Sequence, residues 1–374
     1  MTRTRPGPYL SVLAGAICCY AALGAVVRII PGYVGNSLGY GAFAVGAAIG
    51  APALTAVIAR PLGGRLGDQH GTRRVAMAGA AVCAAGALPM FADAFAPFLG
   101  SRLLAGVGEG AMMSAAVLWL LRLAGPVRRG QALGHIGLAN YAGLTSGPLL
   151  TDAIGGASHP GRTFTLAVAL PLAALALLGR ATPAAAPPAP ERGAQPARRL
   201  ARITAPAGAG LLLVNIGYAT LLAFGADAVP GHAGLVLPAY AGTIILVRTL
   251  AGSAPDRLGG RLTLGAAAPT AAAGLLLIGL VHVSALALAG VVVLGLGQGL
   301  AVPALGLLAL GRVAPAQHGA ASGLFFAWFD GGVALGGPLA GLAAGIAGSA
   351  GALTCAAGAV AAAAPTALWL GRET

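Results

Sequence analysis

The chain has 374 residues, of which 57% are hydrophobic and 8% are charged, and its mean hydropathy is +0.86. Soluble domains carry about 25% charged residues, so these few charges could not cover the surface of a water-soluble protein of this length. The net charge of +13 comes from arginines in short segments between apolar runs, a placement that favours membrane topology over nucleic-acid binding.

The chain contains twelve apolar segments, each close to the roughly 20 residues that cross a bilayer. We predict an all-α integral membrane protein with spans at 9–30, 41–60, 75–92, 97–121, 132–153, 162–180, 206–229, 234–252, 262–281, 284–308, 319–341 and 349–370. The first span could be a signal peptide, but Pro6 and its length favour a retained helix. The four cysteines lie in apolar runs without metal-ligand spacing, so no metal site or disulfide is predicted.

Arginines mark one side of the predicted spans. Only Arg162 falls on the other side, so the arginine-rich side is predicted to be cytoplasmic, with both termini there, in a bacterial plasma membrane. The segment 181–205 is rich in Pro, Ala and Arg, which predicts a cytoplasmic linker. It separates an N-terminal six-helix bundle, 1–180, from a C-terminal one, 206–374.

The two halves share motifs in the same order. The charged, glycine-rich stretch Arg60–Arg74 is predicted to be a compact hairpin after the second span, and Arg248–Arg261 repeats its Arg, Gly and Asp spacing in weaker form. Gly106–Gly110 matches Gly295–Gly299, and Gly147-Pro148 matches Gly337-Pro338. A parallel six-helix repeat around a central linker is typical of a transporter whose substrate lies near the midplane between the repeats.

These motifs resemble the major facilitator superfamily over nearly the whole chain. Gly64–Arg74 is similar to the family's cytoplasmic signature loop, and Arg102–Gly108 to its Arg- and Gly-bearing motif in helix four. The resemblance implies two pseudo-symmetric six-helix bundles, and it is strongest to bacterial drug- or sugar-efflux proteins.

The resemblance also implies roles for two groups of residues. A latch would close the cytoplasmic face through Asp68 and Arg73; its members are Gly64, Asp68, Gly71, Arg73, Asp256 and Arg261. Arg122 stands where the family often has an acidic partner, so the latch is expected to lack that member. In helix five, Gly134, Gly143, Gly147 and Pro148 keep the spacing of the family's antiporter motif, but Thr151 and Asp152 replace its closing glycines. Gly337 and Pro338 repeat the Gly-Pro step in the second half and complete the predicted helix-bend motif.

Ionisable residues within spans are costly and are functional candidates by default. Glu109, Asp330 and Arg102 are the candidates for proton coupling. Arg102 lies two turns from Glu109 on one face of helix four, so it could modulate that carboxyl or bind substrate. The alternatives are interhelical hydrogen bonds or a structural ion pair.

A second set of polar residues is predicted to contact substrate or to gate the outer side. Arg28 and Asp227 have opposite charges at repeat-related helix ends and are expected to pair, unless they reach water separately. The remaining candidates are the amides Asn140, Asn215 and Gln298, which otherwise bond helix to helix.

The sequence therefore predicts a monomeric secondary active transporter that moves a small organic solute by alternating access, in proton-coupled efflux. A proton-coupled importer and a transporter-like sensor are the alternatives. No phosphate-binding loop or catalytic cluster occurs, so an enzyme or ATP-driven pump is excluded. No cofactor beyond a proton gradient is implied.

Overall fold

The computed structural model describes residues 6–125, 128–183, 197–281, 283–313 and 317–369. In these ranges the chain is helical and contains no β-strand. The core of the predicted linker, 184–196 with Arg192, and the terminal Arg3, Arg5 and Arg372 lie outside the described residues.

The helices follow the apolar runs because backbone N–H and C=O groups in hydrocarbon must be satisfied within the segment. They are α1 (Pro6–Ile30), α2 (Ala42–His70), α3 (Thr72–Ala87), α4 (Phe95–Ala124), α5 (Arg129–Ala153), α6 (Pro160–Arg180), α7 (Ala197–Phe224), α8 (Ala233–Ala251), α9 (Ala254–Leu258), α10 (Gly260–Leu280), α11 (Ser284–Leu310), α12 (His318–Ala361) and α13 (Ala364–Trp369). A π-helical turn, Pro31–Ser37, extends α1.

The described helices agree with twelve spans. Ten of them are long and apolar enough to cross a membrane. The more polar helix α5 is also long enough, at 25 residues. Helix α12 is interrupted at Gly348, where φ is 71°, so it comprises two segments. Adding α5 and dividing α12 gives the predicted number.

The chain forms two compact units. Unit 1 is Met1–Leu38 with Ala51–Ala189, and unit 2 is Gly39–Gly50 with Pro190–Thr374. In unit 1, α1 packs on α5 and α3 packs on α4. In unit 2, α7 packs on α12 and α10 packs on α11, which are the same pairs one repeat later. The first turns of α2 belong to unit 2 and the rest of this helix to unit 1.

Glycines allow the helices of each unit to cross closely. A Cβ added to Gly106 of α4 would lie 1.9 Å from the carbonyl oxygen of Pro52 and 2.3 Å from Thr55 Oγ1 on α2. In unit 2, a Cβ on Gly295 of α11 would lie 2.9 Å from the Cβ of Thr243 on α8. The matched motifs therefore occupy matched helix crossings.

The predicted hairpin at Arg60–Arg74 is wrong in its extent. Helix α2 continues through Pro61 to His70, and the turn consists of Gly71 alone, with φ 95° and ψ 134°. Gly259 has nearly the same backbone angles, φ 86° and ψ 144°, at the repeated position. Arg60 therefore lies on helix α2 and not in a loop. From this position its side chain reaches Glu109 of α4.

The predicted linker is also shorter than expected. Helix α7 begins at Ala197, so Arg198, Arg199 and Arg202 lie on its first turns. The apolar run that predicts a start at 206 marks only the most hydrophobic part of this helix, because arginines are good helix formers and extend it toward water.

Candidate functional site: buried charges in the helix bundles

The most buried ion pair of unit 1 among the described residues joins Glu109 of α4 to Arg60 of α2. Arg60 Nη2 lies 3.1 Å from Oε1 and 3.3 Å from Oε2 of Glu109. The hydroxyl of Tyr20, on α1, donates a third hydrogen bond to Oε1. Glu109 is 4% exposed, and Tyr20 is 5% exposed. Three helices thus converge on one carboxylate near the middle of α4.

This arrangement satisfies a charge that would otherwise be costly to bury. A buried carboxylate is tolerated when a cation and further hydrogen bonds compensate for its lost hydration. Arg60 supplies the cation and retains 26% of its side-chain exposure, whereas the Glu109 side chain retains 6%. The Arg60–Glu109 pair therefore ties α2 to α4 at a buried position.

Arg102 lies on α4 together with Glu109. The two residues are seven apart on α4, which corresponds to about 10 Å along the helix axis. Arg102 is 2% exposed and lies nearer the N-terminal end of α4, while the cation at Glu109 is Arg60. The seven-residue spacing indicates a shared face, and the crossing with α2 brings the cation of Arg60 into contact with Glu109.

The two charged latch residues of unit 1, Asp68 and Arg73, have separate partners. Arg122 Nη2 lies 2.6 Å from Oδ1 of Asp68, and thus joins the end of α4 to the end of α2. Arg73 instead donates to the carbonyl oxygen of Gly179 on α6. Arg122, which stands where the family often has an acidic residue, is thus the partner of Asp68. Gly64 lies on α2, and Gly71 makes the turn.

We expect the Asp68–Arg122 pair to act as one unit in transport. Asp68→Asn and Arg122→Gln should each slow flux, and the double variant should be no slower than the slower single variant, because all three break the same contact. Asp68 is 54% exposed in its side chain, so the cost in stability should be at most about 1 kcal/mol. Initial flux rates in proteoliposomes would check this. Additive losses in the double variant would show that the two residues act separately.

The repeated latch in unit 2 is weaker. Asp256 lies in the first turn of the short helix α9, and both Asp256 and Arg261 are exposed. Gly259 keeps the positive φ of the turn. The repeat therefore retains the turn geometry, but its Asp256 is not placed like Asp68 at the end of a long helix.

At the other end of unit 1, Arg28 pairs with Asp152. The Arg28 Nε lies 3.1 Å from Oδ1 of Asp152, and thus joins the C-terminal ends of α1 and α5. The predicted partner, Asp227, lies on the turn after α7, outside the helix, and is exposed. Partial desolvation raises the pKa of the Asp227 carboxyl. Within unit 1, Arg28 thus has a partner in Asp152, and the outer gate formed by Arg28 and Asp227 when the transporter faces inward stays a prediction.

Charge exchange should distinguish these two pairings. Arg28→Asp should lower the unfolding midpoint, because Arg28 and Asp152 keep only 21% and 34% of their side-chain exposure. Adding Asp152→Arg should recover roughly 0.5–1 kcal/mol of that loss. Adding Asp227→Arg instead should recover nothing. Thermal unfolding in detergent measures both; rescue by Asp227→Arg alone would restore the original gate hypothesis.

Unit 2 contains a neutral polar pair between its first and fourth long helices. Gln298 Nε2 on α11 lies 3.5 Å from Asn215 Oδ1 on α7, and Asn215 Nδ2 donates to the Leu211 carbonyl oxygen at 2.8 Å. Asn215 is fully buried and Gln298 is 1% exposed. Asp330 of α12 is buried in the same unit at 3% exposure, and Asn140 of α5 is partly buried in unit 1.

The glycines of the helix-bend motif lie where α5 and α12 pack closely against other helices. A Cβ on Gly143 would lie 2.5 Å from the Cβ of Tyr20, and one on Gly147 would lie 2.3 Å from the Ala21 carbonyl oxygen, both on α1. In unit 2, a Cβ on Gly337 would lie 2.3 Å from the Gly46 carbonyl oxygen, on the first turns of α2. The prolines that follow these glycines, Pro148 and Pro338, lie inside α5 and α12.

Four residues of these contacts are not identified as site residues from the sequence: Tyr20, Arg60, Arg122 and Asp152. For two of them the sequence contains a feature that could have identified them. Arg122 and Asp152 both stand where the sequence departs from the family pattern, and each supplies the partner of a predicted site residue. Among the described residues, no group of three or more His, Cys, Asp and Glu side chains could hold a metal ion.

Comparison with known proteins supports one family. A family model described as Major Facilitator Superfamily matches residues 12–226. An uncharacterised MFS-type transporter of Burkholderia mallei (strain SAVP1) is 33% identical over 350 residues, which cover 90% of this chain and 85% of the relative.

Solved structures show the same fold. The nucleoside transporter NupG matches with a TM-score of 0.76 at 14% identity, over 97% of this chain and 98% of that one. A POT family transporter in complex with a thioalcohol-conjugated peptide matches with a TM-score of 0.81 at 12% identity, over 98% and 96%. The chain therefore belongs to the major facilitator superfamily and is a multi-pass membrane transporter, not an enzyme.

Proposed function

We propose that the protein is a proton-coupled secondary transporter that exports a small organic solute, with Glu109 as the proton carrier. The observation that carries the proposal is the buried Glu109 carboxylate, held by Arg60 and Tyr20 from two other helices. Arginine-rich helix ends face the cytoplasm in this proposal, with both termini there. One of the solved structures is a nucleoside transporter and another holds a peptide conjugate, which supports a small solute.

The proton would act by competing with Arg60 for Glu109. With Glu109 ionised, Arg60 and the carboxylate keep α2 and α4 together; with Glu109 protonated, the charge-assisted bonds are lost and the helices can rearrange. Asp330 is another buried carboxyl and would be a further coupling residue. Arg102 contributes positive charge on α4. The latch pair Asp68–Arg122 would hold the cytoplasmic ends of α2 and α4 in one of the two states.

Flux measurements in proteoliposomes test this function. Purified protein is reconstituted, a pH gradient of either sign is imposed, and the movement of a panel of nucleosides, sugars, short peptides and organic cations is followed. We expect the gradient to drive at least one solute against its concentration, in the direction opposite to proton flow. Movement in the same direction as protons would show an importer, and binding without flux would show a sensor.

A further inference from the structure

Basic side chains line a cavity of about 430 Å³ at the turn between α2 and α3 in unit 1. His70 lies at the end of α2, and Arg73 and Arg74 lie on the first turn of α3. Met77, further along α3, and Pro183, after the end of α6, form apolar parts of the wall. None of the described residues that line this cavity is acidic. The cavity therefore favours an anion over a cation.

The guanidinium of Arg73 has more donors than its protein contact uses. Its Nη2 donates to the carbonyl oxygen of Gly179, at the end of α6. Its Nε is buried, and no group in the part of the chain that the structure describes accepts a hydrogen bond from it. A buried donor without an acceptor is costly, and such atoms in native proteins call for a ligand or a water. An oxygen-rich anion in the cavity that this side chain lines would bring acceptors to the guanidinium.

The internal repeat shows that the turn itself does not need these basic residues. The turns of the two repeats have nearly the same backbone angles. The repeat equates His70 with Leu258 and Arg74 with Leu262, and the two leucines are 62% and 72% exposed. The turn of unit 2 thus forms without a basic residue at either position. The basic pair of unit 1 therefore has another role, and a group bound in the cavity that it lines accounts for it.

The cavity lies at the level where lipid headgroups meet the protein. The segment Thr72–Ala92 is long and apolar enough to cross a membrane, and the cavity surrounds its first turn. In the orientation of the proposed function this is the cytoplasmic leaflet, whose anionic lipids attract basic residues near the surface. Basic pockets between helices on that side are suited to phosphate headgroups. The apolar wall at Met77 and Pro183 favours an amphiphile over a fully hydrated inorganic ion.

We propose that this cavity binds the phosphate headgroup of an anionic phospholipid through Arg73, Arg74 and His70. The phosphate oxygens accept charge-assisted hydrogen bonds from the two arginines, and His70 supplies a further N–H donor. The inference rests on the proposed function only for the choice of leaflet, and it does not depend on proton coupling or on the direction of transport.

Native mass spectrometry of the purified full-length protein in detergent tests the inference by counting bound lipids. The probes are dioleoylphosphatidylglycerol and dioleoylphosphatidylcholine, with inorganic phosphate as a competitor. We expect the first phosphatidylglycerol to bind about tenfold more tightly than phosphatidylcholine, and Arg74→Gln to weaken it about fivefold. Arg74→Lys should keep most of the affinity, because the charge remains. Arg199→Gln is the matched control, since it removes an exposed arginine from the first turn of α7, and it should leave this affinity unchanged.

The outcomes separate a built site from general attraction between charges. Equal weakening by Arg199→Gln and Arg74→Gln would overturn the inference, and so would equal affinity for the two lipids. Displacement of phosphatidylglycerol by inorganic phosphate at similar concentration would show a site for a soluble anion and would also overturn it. His70→Gln is a second variant that should weaken binding as well, and the unfolding midpoint without added lipid checks that each variant is folded. No flux is measured, so an absence of proton-driven transport would refute the proposed function without affecting this result.

Discussion

Glu109→Gln is expected to reduce pH-gradient-driven flux by about tenfold to a hundredfold, the usual range of coupling between two ligands. Glutamine keeps the shape of the side chain and can still meet Tyr20 and Arg60, but it can neither gain nor lose a proton. The contact between α1, α2 and α4 should therefore remain, while its dependence on protonation is lost. Initial rates in proteoliposomes with and without an imposed pH gradient measure the difference.

Two controls sharpen this experiment. Solute exchange between equal pools needs no net proton movement, so Glu109→Gln should preserve it. Asp93→Asn removes a carboxyl of unit 1 that accepts a hydrogen bond from Tyr33 at 3.2 Å, outside the Glu109 cluster, and should leave gradient-driven flux unchanged. If Glu109→Gln retained the wild-type response to the gradient while Asp330→Asn lost it, the proton carrier would be Asp330.

Gly106→Ala is expected to have the largest effect on stability. Its Cβ would lie 1.9 Å from the Pro52 carbonyl oxygen and 2.3 Å from Thr55 Oγ1, so backbone atoms of α2 and α4 would have to separate. Overpacking of this kind costs about 3 kcal/mol or more. The separation would also weaken the Arg60–Glu109 contact, since the same two helices hold it.

Gly100→Ala is the matched control because it lies on the same helix and no atom lies within 4 Å of its added Cβ. It should be neutral or stabilising by up to about 1 kcal/mol, since alanine is the better helix former. Thermal unfolding of both variants in one detergent compares them directly. Equal midpoints for the two variants would show that α2 and α4 do not cross at Gly106.

The internal repeat can be predicted from the sequence because its two copies share short local motifs. Gly71 and Gly259 match by spacing, and both have the positive φ that permits the turn. Gly106 and Gly295 match in the same way, and both lie at close crossings with another helix of their own unit. Local patterns of this kind depend on backbone geometry, which neighbouring residues along the chain largely determine.

The ion-pair partners of the charged residues are harder to predict from the sequence. The sequence assigns Asp68 and Arg73 to one latch without a side-chain partner for Asp68, whereas the structure pairs Asp68 with Arg122. The sequence also pairs Arg28 with Asp227, whereas the structure pairs it with Asp152. In each case the observed partner lies on another helix, more than fifty residues away in the chain. A side chain's partner depends on the rotation and crossing of two helices, which a single sequence does not specify.

Composition and motif order by themselves determined that this protein crosses the membrane about twelve times, that it is duplicated, and that it resembles a transporter. These properties follow from the apolar length of each segment and from local turn chemistry. Only the tertiary structure showed that α2 continues past Pro61 and carries Arg60 to Glu109. The physical reason is that a buried charge takes whichever compensating group the helix packing brings within about 3 Å.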